Sequence, residues 1–259
     1  WLEQAFQRGT ATAGRLAYHG PVRKFPFRGG EGEFKARADV RDASVVYFDG
    51  FAPLVGAAGT VEFLNAGLRG GLSAGEVGGL RLRDVQFAID DLKAPVIEVD
   101  AAGSGDLAKA LAVVQGSPLG PQLGAQFMQL SGQGPADYSL RLRLPSQDPT
   151  MRDYVVRTRL NSVSVNWPVL RAPVTRVTGD FEVHNREFRA PALRGVMLDG
   201  PFELSVKPGR VGGDVSAAIL LSGSGRVAGA PLPAFIGLPQ TIRMGGTADW
   251  RLDGLIERR

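Results

Sequence analysis

The side chains able to carry out a reaction are few in this chain, and they are scattered. Its 259 residues include two histidines and no cysteine, and lysine is scarce. General acid–base and nucleophilic catalysis draw on just these groups, held within hydrogen-bond reach of one another. His19 and His184 each stand alone on strand-like sequence, with no second ligand at metal spacing. Without cysteine there is neither a thiolate metal site nor a disulfide frame. Gly103-Ser104-Gly105 and Gly223-Ser224-Gly225 lack the outer spacing of a G-x-S-x-G elbow and read as turns. Gly29-Gly30-Glu31-Gly32 does not satisfy the dinucleotide fingerprint, and the phosphate-loop pattern is absent. Asp90-Asp91 is an acidic pair, but neighbours on a strand point to opposite faces, so it too reads as a turn. Asp148 and Asp153 fall in polar turns likewise. A glycan hydrolase would need two carboxylates about 5–10 Å apart in a cleft, and that reading stays open in third place. The expectation is no catalytic residue, no metal and no cofactor.

What the pattern does offer is apolar contact. Alternation places Val40, Val45, Val61, Phe63, Val85, Phe87, Ile89, Ile97 and Val99 on one face of successive strands. Leu140 and Leu142 alternate with Arg141 and Arg143. Further on, Leu160, Val165, Phe181, Val183, Phe202, Leu204, Val206, Ile219 and Leu221 form a second such set. These are aliphatic and phenyl groups, without the convergent polar atoms that a small-molecule site uses for specificity. A curved sheet with this lining suits acyl chains. The competing reading is a β-sandwich whose two inner faces bury each other.

The elements that position these residues are written twice. Phe34 to Arg69 returns as Tyr154 to Arg189, always 120 positions later. Arg37 returns as Arg157, Ser44-Val45 as Ser164-Val165, Pro53 as Pro173. Gly59, Glu62, Asn65 and Arg69 return as Gly179, Glu182, Asn185 and Arg189. Both copies also change phase. Phe34, Ala36, Ala38 and Val40 alternate up to Asp42, after which Ala43, Val45 and Tyr47 take over. Tyr154, Val156 and Leu160 alternate up to Ser162, followed by Val163, Val165 and Trp167. A one-residue slip that keeps the apolar face is what a β-bulge does.

Glycine (35) and proline (17) are too frequent for a helical protein and suit many strands joined by turns. Strands are expected at Gly9–Gly20, Glu33–Phe48, Ala58–Asn65, Leu68–Ser73, Leu80–Asp90 and Val96–Ala102. Gly50 to Gly56 is expected to turn the chain. Leu107, Ala110, Leu111 and Val114 then fall at helical spacing behind Asp106, an N-cap residue. Gln122–Leu130 is a candidate second short helix. Strands resume at Ala136–Leu144, Arg152–Trp167, Val177–His184, Pro201–Val206 and Val211–Leu221. Pro231, Pro233 and Pro239 predict an irregular crossing over 227–240. Ala248-Asp249-Trp250 then echoes Ala136-Asp137-Tyr138. The fold class read here is mainly β: an elongated, curved antiparallel sheet of tandem five-strand units, each followed by a crossover. The divisions are a lead-in over 1–32, a first unit over 33–130 with a helical crossover near 105–127, and a second over 131–240 with an irregular crossover near 226–240. Residues 241–259 begin a following strand.

The formal charge is only +4, and arginines alternate with apolar residues, as in Leu80-Arg81-Leu82-Arg83. That is a solvated strand face, and no nucleic-acid partner is expected. No apolar run approaches the roughly 20 residues of a membrane span, and Trp1 in first place points to a piece of a longer protein.

Phe25-Pro26-Phe27 with Gly32-Glu33-Phe34, and Asn166-Trp167-Pro168-Val169-Leu170 with Gly179-Asp180-Phe181, resemble the YhdP branch of the AsmA-like proteins of Gram-negative bacteria. The helix closing in Gly116-Ser117-Pro118-Leu119 is similar to that family's crossover. Tyr47-Phe48 departs from the Trp-Pro pattern in the first copy. The resemblance implies a non-enzymatic periplasmic bridge, anchored in the inner membrane, whose β-groove carries phospholipid toward the outer membrane. Its acyl chains would be the partner of the apolar face, and membranes would be met by parts of the parent outside this chain. The runner-up is a structural or interaction module that binds other envelope proteins and carries no lipid.

Overall fold

A computed structural model describes residues 6–47, 49–123, 125–145, 152–170, 172–185, 187–211, 214–239 and 241–257. Among the described residues there are fourteen strands: β1 (Phe6–His19), β2 (Glu33–Val45), β3 (Leu54–Leu64), β4 (Gly67–Val77), β5 (Leu80–Ile89), β6 (Val96–Asp106), β7 (Ser131–Gln133) and β8 (Pro135–Pro145) in the first part. They continue with β9 (Asp153–Asn166), β10 (Val174–His184), β11 (Glu187–Met197), β12 (Gly200–Val211), β13 (Asp214–Ala228) and β14 (Thr247–Glu257). Helices α1 (Leu107–Gln115), α2 (Ala125–Met128) and α3 (Leu232–Phe235) interrupt them at the crossovers. The strands hydrogen-bond in chain order into one open sheet, with only β7 off the path, on β9. Neighbouring strands from β1 to β6 and from β10 to β14 pair antiparallel, as alternating apolar and charged residues joined by short turns dictate. By compactness the chain divides into residues 1–104 with 139–155, and residues 105–138 with 156–259.

The 120-residue period holds in three dimensions. β3 and β10 start and end 120 positions apart, and so do β4 and β11. The expected bulge is present in both copies. Asp42 and Ser162 are left-handed, with φ of 51° and 61°, and the β2–β3 register shifts between Val40 and Ala43. A left-handed residue lengthens one strand by one position and lets alternation resume on the same face.

The structure corrects several expectations. Gly103-Ser104-Gly105 and Gly223-Ser224-Gly225 are not turns but lie inside β6 and β13. A Cβ at Gly103 would come within 2.7 Å of the Arg81 carbonyl oxygen, and one at Gly225 within 2.5 Å of that of Pro201. Glycine there lets adjacent strands close up, a role that looks like turn chemistry in sequence. β3 starts at Leu54, inside the expected turn. β4 and β6 run on to Val77 and Asp106, so α1 begins directly at a strand end. β11 was not anticipated: Pro191 and Gly195 break its alternation, and Pro191 sits where the β11–β12 register shifts, between Ala190 and Leu193. Phe48 at the expected end of β2, and Asp148, lie outside the described residues.

Candidate functional site

Residues directly opposite on paired strands share a face, so the register decides which side chains stand together. In the first unit, Leu16, Ala36, Phe63, Leu68, Ile89 and Ile97 form one row straight across β1 to β6. Ala38, Val61, Gly70, Phe87 and Val99 form the next. Val40, Gly59, Leu72 and Val85 form a third. At Gly70 the Phe87 ring lies where a side chain would be: a Cβ there would meet Cζ at 2.5 Å. Leu68, Leu72, Val85 and Ile89 are buried, while Val61, Phe63, Phe87, Ile97 and Val99 are half-buried. Ala43, Ala57, Leu72 and Val85 make the buried centre, with Leu54 and Leu82 against it.

The opposite face carries charge. Arg37, Glu62 and Arg69 oppose one another in register. The Arg69 guanidinium donates to Glu62 Oε1 through Nη2 and through Nε (2.8 Å), and Lys35 Nζ lies 3.3 Å from Oε2. These hydrogen bonds, Arg69 foremost, hold the Glu62 carboxyl below its usual range. Arg141 Nε reaches Asp100 Oδ1 at 3.0 Å and Arg143 reaches Glu98 at 3.4 Å. A shallow hollow on this face, lined by Arg37, Glu62, Arg69, Gln86, Glu98 and Asp100, has walls of both signs. Arg28 clamps Asp91 with two bonds of 2.6 and 2.8 Å, tying the 21–32 connection to the turn after β5.

The second unit repeats the two-faced arrangement. Ala190, Val206 and Leu221 share one row; Leu193, Leu204, Gly223 and Leu252 the next; and Gly195, Phe202, Gly225 and Trp250 a third. Arg157, Arg159, Arg194 and Arg226 pair with Glu182, Asp180, Glu203 and Asp249 on the other side, at 2.7 to 2.9 Å. Here the apolar face has a cover. Leu107 and Leu111 of α1 pack into a cluster with Val163, Val174, Val177, Phe202, Leu204 and Leu221, which Phe127 and Leu130 also join. Leu123 packs on Phe188, Ala190 and Val206, beside Phe181 and Val183.

The cover is pinned at both ends. Asp106 Oδ1 accepts from the Ala108 N–H at 2.8 Å, the expected N-cap, and its Oδ2 accepts from the Gly134 N–H at 3.0 Å. At the other end Gln115 Nε2 donates to the carbonyls of Phe127 and Leu130, at 3.0 and 2.8 Å.

Of the residues expected to line a groove, Val85, Ile89, Phe202, Leu204, Val206 and Leu221 are buried. Val40, Val45, Val61, Phe63, Phe87, Ile97, Val99, Leu140, Leu142, Leu160, Val165, Phe181, Val183 and Ile219 are half-buried. None is fully exposed. The sequence reading missed Leu68 and Leu72 in the first unit, and Leu123, Phe127, Leu130 and Trp250 in the second. Leu68 had a signal, since its counterpart 120 positions on, Phe188, is apolar as well. Among the described residues no cluster of acidic or histidine side chains is able to hold a metal ion, and no helix is long and apolar enough to cross a membrane.

Residues 1–254 match the family model described as "YhdP protein". The chain is 23% identical over 254 residues to the "Intermembrane phospholipid transporter YhdP" of Escherichia coli (strain K12). That alignment covers 96% of this chain and 19% of the relative, so the chain spans about a fifth of the curated protein it matches. No solved structure matches it.

Proposed function

The chain belongs to the YhdP family, and on that premise we propose that it is a stretch of a phospholipid-carrying protein whose apolar sheet face receives acyl chains. The observation that carries this reading is the register. Rows such as Ala36, Phe63, Leu68, Ile89 and Ile97 run across successive strands, while the opposite face is laced with ion pairs. Acyl chains need only apolar contact, and half-buried Val61, Phe63, Phe87, Ile97 and Val99 offer it. In the second unit half-buried Leu160, Val165, Phe181, Val183 and Ile219 offer the corresponding contact, while Phe202, Leu204, Val206 and Leu221 are buried beneath the crossover. No catalytic residue is required: transfer along such a surface is binding without bond-making. The setting proposed is the periplasm, with the parent protein anchored in the inner membrane.

Photo-crosslinking with a phospholipid bearing a diazirine in its tail tests the reading. Adducts are expected at Phe63, Phe87 and Val99, and not at Arg81 or Arg141. Protein that emerges from lipid-rich membranes with no bound phospholipid by native mass spectrometry would refute it.

The alternative is an interaction module without lipid, whose envelope-protein partner meets the charged face, where the Arg141 and Arg143 side chains are more than half exposed. That partner would crosslink at Arg81, Arg83, Arg141 and Arg143, with no lipid at Phe63 or Val165.

A further inference from the structure

The connection between β1 and β2, residues 20–32, is longer than its counterpart in the repeat, which joins Pro145 of β8 to Asp153 of β9. The connection it meets is also the longer of its pair: residues 90–95 separate β5 from β6, and 212–213 separate β12 from β13. Both long connections stand at the same strand-end margin of the first unit, and Arg28 joins them by a two-pronged clamp on Asp91. Its Nε donates to Oδ2 at 2.6 Å and its Nη2 to Oδ1 at 2.8 Å. Two further ties run along this margin. The Asn65 N–H donates to the Phe34 carbonyl while Asn65 Oδ1 accepts from the Phe34 N–H, both at 2.8 Å. The Leu92 N–H donates to the Ala66 carbonyl at 2.8 Å.

The 20–32 connection folds back over the apolar face. Tyr18 and Phe34 oppose one another in register, two residues from Leu16 and Ala36. They therefore form the next row outward from the one that Phe63, Leu68, Ile89 and Ile97 continue. Phe25 meets Phe34 edge-on with ring centres 5.3 Å apart, and Phe27 meets Tyr18 at the same separation. The Phe27 ring is buried and seated on two glycines: a Cβ at Gly20 would come within 3.0 Å of it, and one at Gly32 within 2.8 Å.

That seat is held rather than relaxed. Phe27 has φ of 61°, a conformation that a bulky residue keeps only where its surroundings fix it. Here they are the seat of the ring and the clamp on the next residue. The clamp is strong in geometry but wet, with the Arg28 and Asp91 side chains 44% and 34% exposed, so its loss shifts an equilibrium only a few-fold. Arg28, with the Lys93 N–H, holds the Asp91 carboxyl well below its usual range, so the pair stays charged at any physiological pH. Glycines flank the segment: Gly20 has φ of 129°, and Gly30 has φ of 78° with open space where a Cβ would stand.

We propose that the 20–32 connection is a latched lid: the Arg28–Asp91 pair keeps it across the margin of the first unit's apolar face, and its release lets an acyl chain pass over that margin. The inference rests on the lipid reading above. Gly20 and Gly30 are the hinges, since glycine takes up a backbone swing without side-chain strain. The Gly29-Gly30-Glu31-Gly32 run, which fits no nucleotide pattern, has its use here.

Two measurements on the unaltered protein and its variants test the lid: amide exchange over residues 21–28 without lipid, and the initial rate of photo-adduct formation with the diazirine-tailed phospholipid. Arg28→Gln and Asp91→Asn should each speed the exchange, and the adducts at Phe63, by about two- to fivefold. The double variant should gain no more than either single one, because each alone breaks the pair. The chain has no cysteine, so Arg28→Cys with Asp91→Cys can be joined by a short bismaleimide. Once joined, it should form adducts at Phe63 more slowly than the unaltered protein. Adducts at Val183, in the second unit, should keep their rate throughout. Equal rates at Phe63 in the unlatched, unaltered and joined forms overturn the inference and leave the lipid reading standing. Faster exchange with unchanged adducts does the same. A rise at Val183 equal to that at Phe63 also overturns it, since that is general loosening. No adduct at Phe63 or Val183 in any form ends the lipid reading, and this inference with it.

Discussion

Asp42 and Ser162, 120 positions apart, adopt the same left-handed backbone, at φ of 51° and 61°, in the same place on equivalent strands. Residue identity differs, conformation does not. A β-branched residue is poorly tolerated in that conformation. Ser162→Val should therefore destabilise the chain by about 1–2 kcal/mol in urea unfolding. Ser162→Gly and Ser162→Asn should be close to neutral.

The hairpin between β11 and β12 offers the converse experiment. Its turn is Leu198-Asp199, with φ of 51° and 59°, where the first copy has Gly78-Gly79. Two successive left-handed residues make a type I′ turn, which favours Asn-Gly. Replacing Leu198-Asp199 by Asn-Gly should raise stability by about 1 kcal/mol, read as a higher urea midpoint with an unchanged slope.

Charge placed on the apolar face should act differently at the two kinds of position. Phe63 is half-buried, and an arginine there has a route to water along its flexible stem. Phe63→Arg should keep its circular dichroism and melting transition while losing lipid adducts. Phe202 is buried beneath α1, so Phe202→Arg strands a charge and should cost at least about 3 kcal/mol.

Glu62 makes stability depend on acid in one direction only. Its folded carboxyl titrates below the ordinary value near 4.5, chiefly because Arg69 donates to it, so the unfolded chain takes up the proton first. The contribution is complete above the unfolded value and is lost as pH falls through the lower, folded one. Glu62→Gln should flatten the loss of melting temperature below about pH 4.5 relative to the parent, with little change in its slope near neutrality.

The pinned crossover helix is the fifth point of test. Asp106→Ala removes an N-cap and the bond to Gly134, and should cost about 1–2 kcal/mol. Leu111→Ala should cost about 2–5 kcal/mol, because Leu111 is buried in the cluster below. Amide exchange over residues 107–115 should quicken in both.

Much of this was legible in the sequence, for identifiable reasons. Alternation gave the faces, and a phase slip at the same place in both copies gave the bulges. Asp106 ahead of a helical spacing gave the start of α1. What stayed hidden is equally physical. Glycines that let strands approach closely are written with the same letters as glycines that turn, so both Gly-Ser-Gly segments were misread. Pro191 masks β11 because proline weighs against a strand wherever it stands, including at a bulge. Leu198-Asp199 puts a leucine where turns favour Asn or Gly, although its conformation is that of Gly78-Gly79. The cover over the second unit depended on where α1 lands, which its own spacing does not specify.

Strands that bond in chain order have a further effect on how the protein is made and how its kind grows. Each strand meets its partner after a hairpin turn or a single crossover, so short loops close first and nothing waits for a distant segment to be synthesised. Such a chain is suited to assembling strand by strand as it leaves the ribosome or a translocation pore. It also lengthens by duplication: inserting another block of about 120 residues asks of its neighbours only the edges they already present.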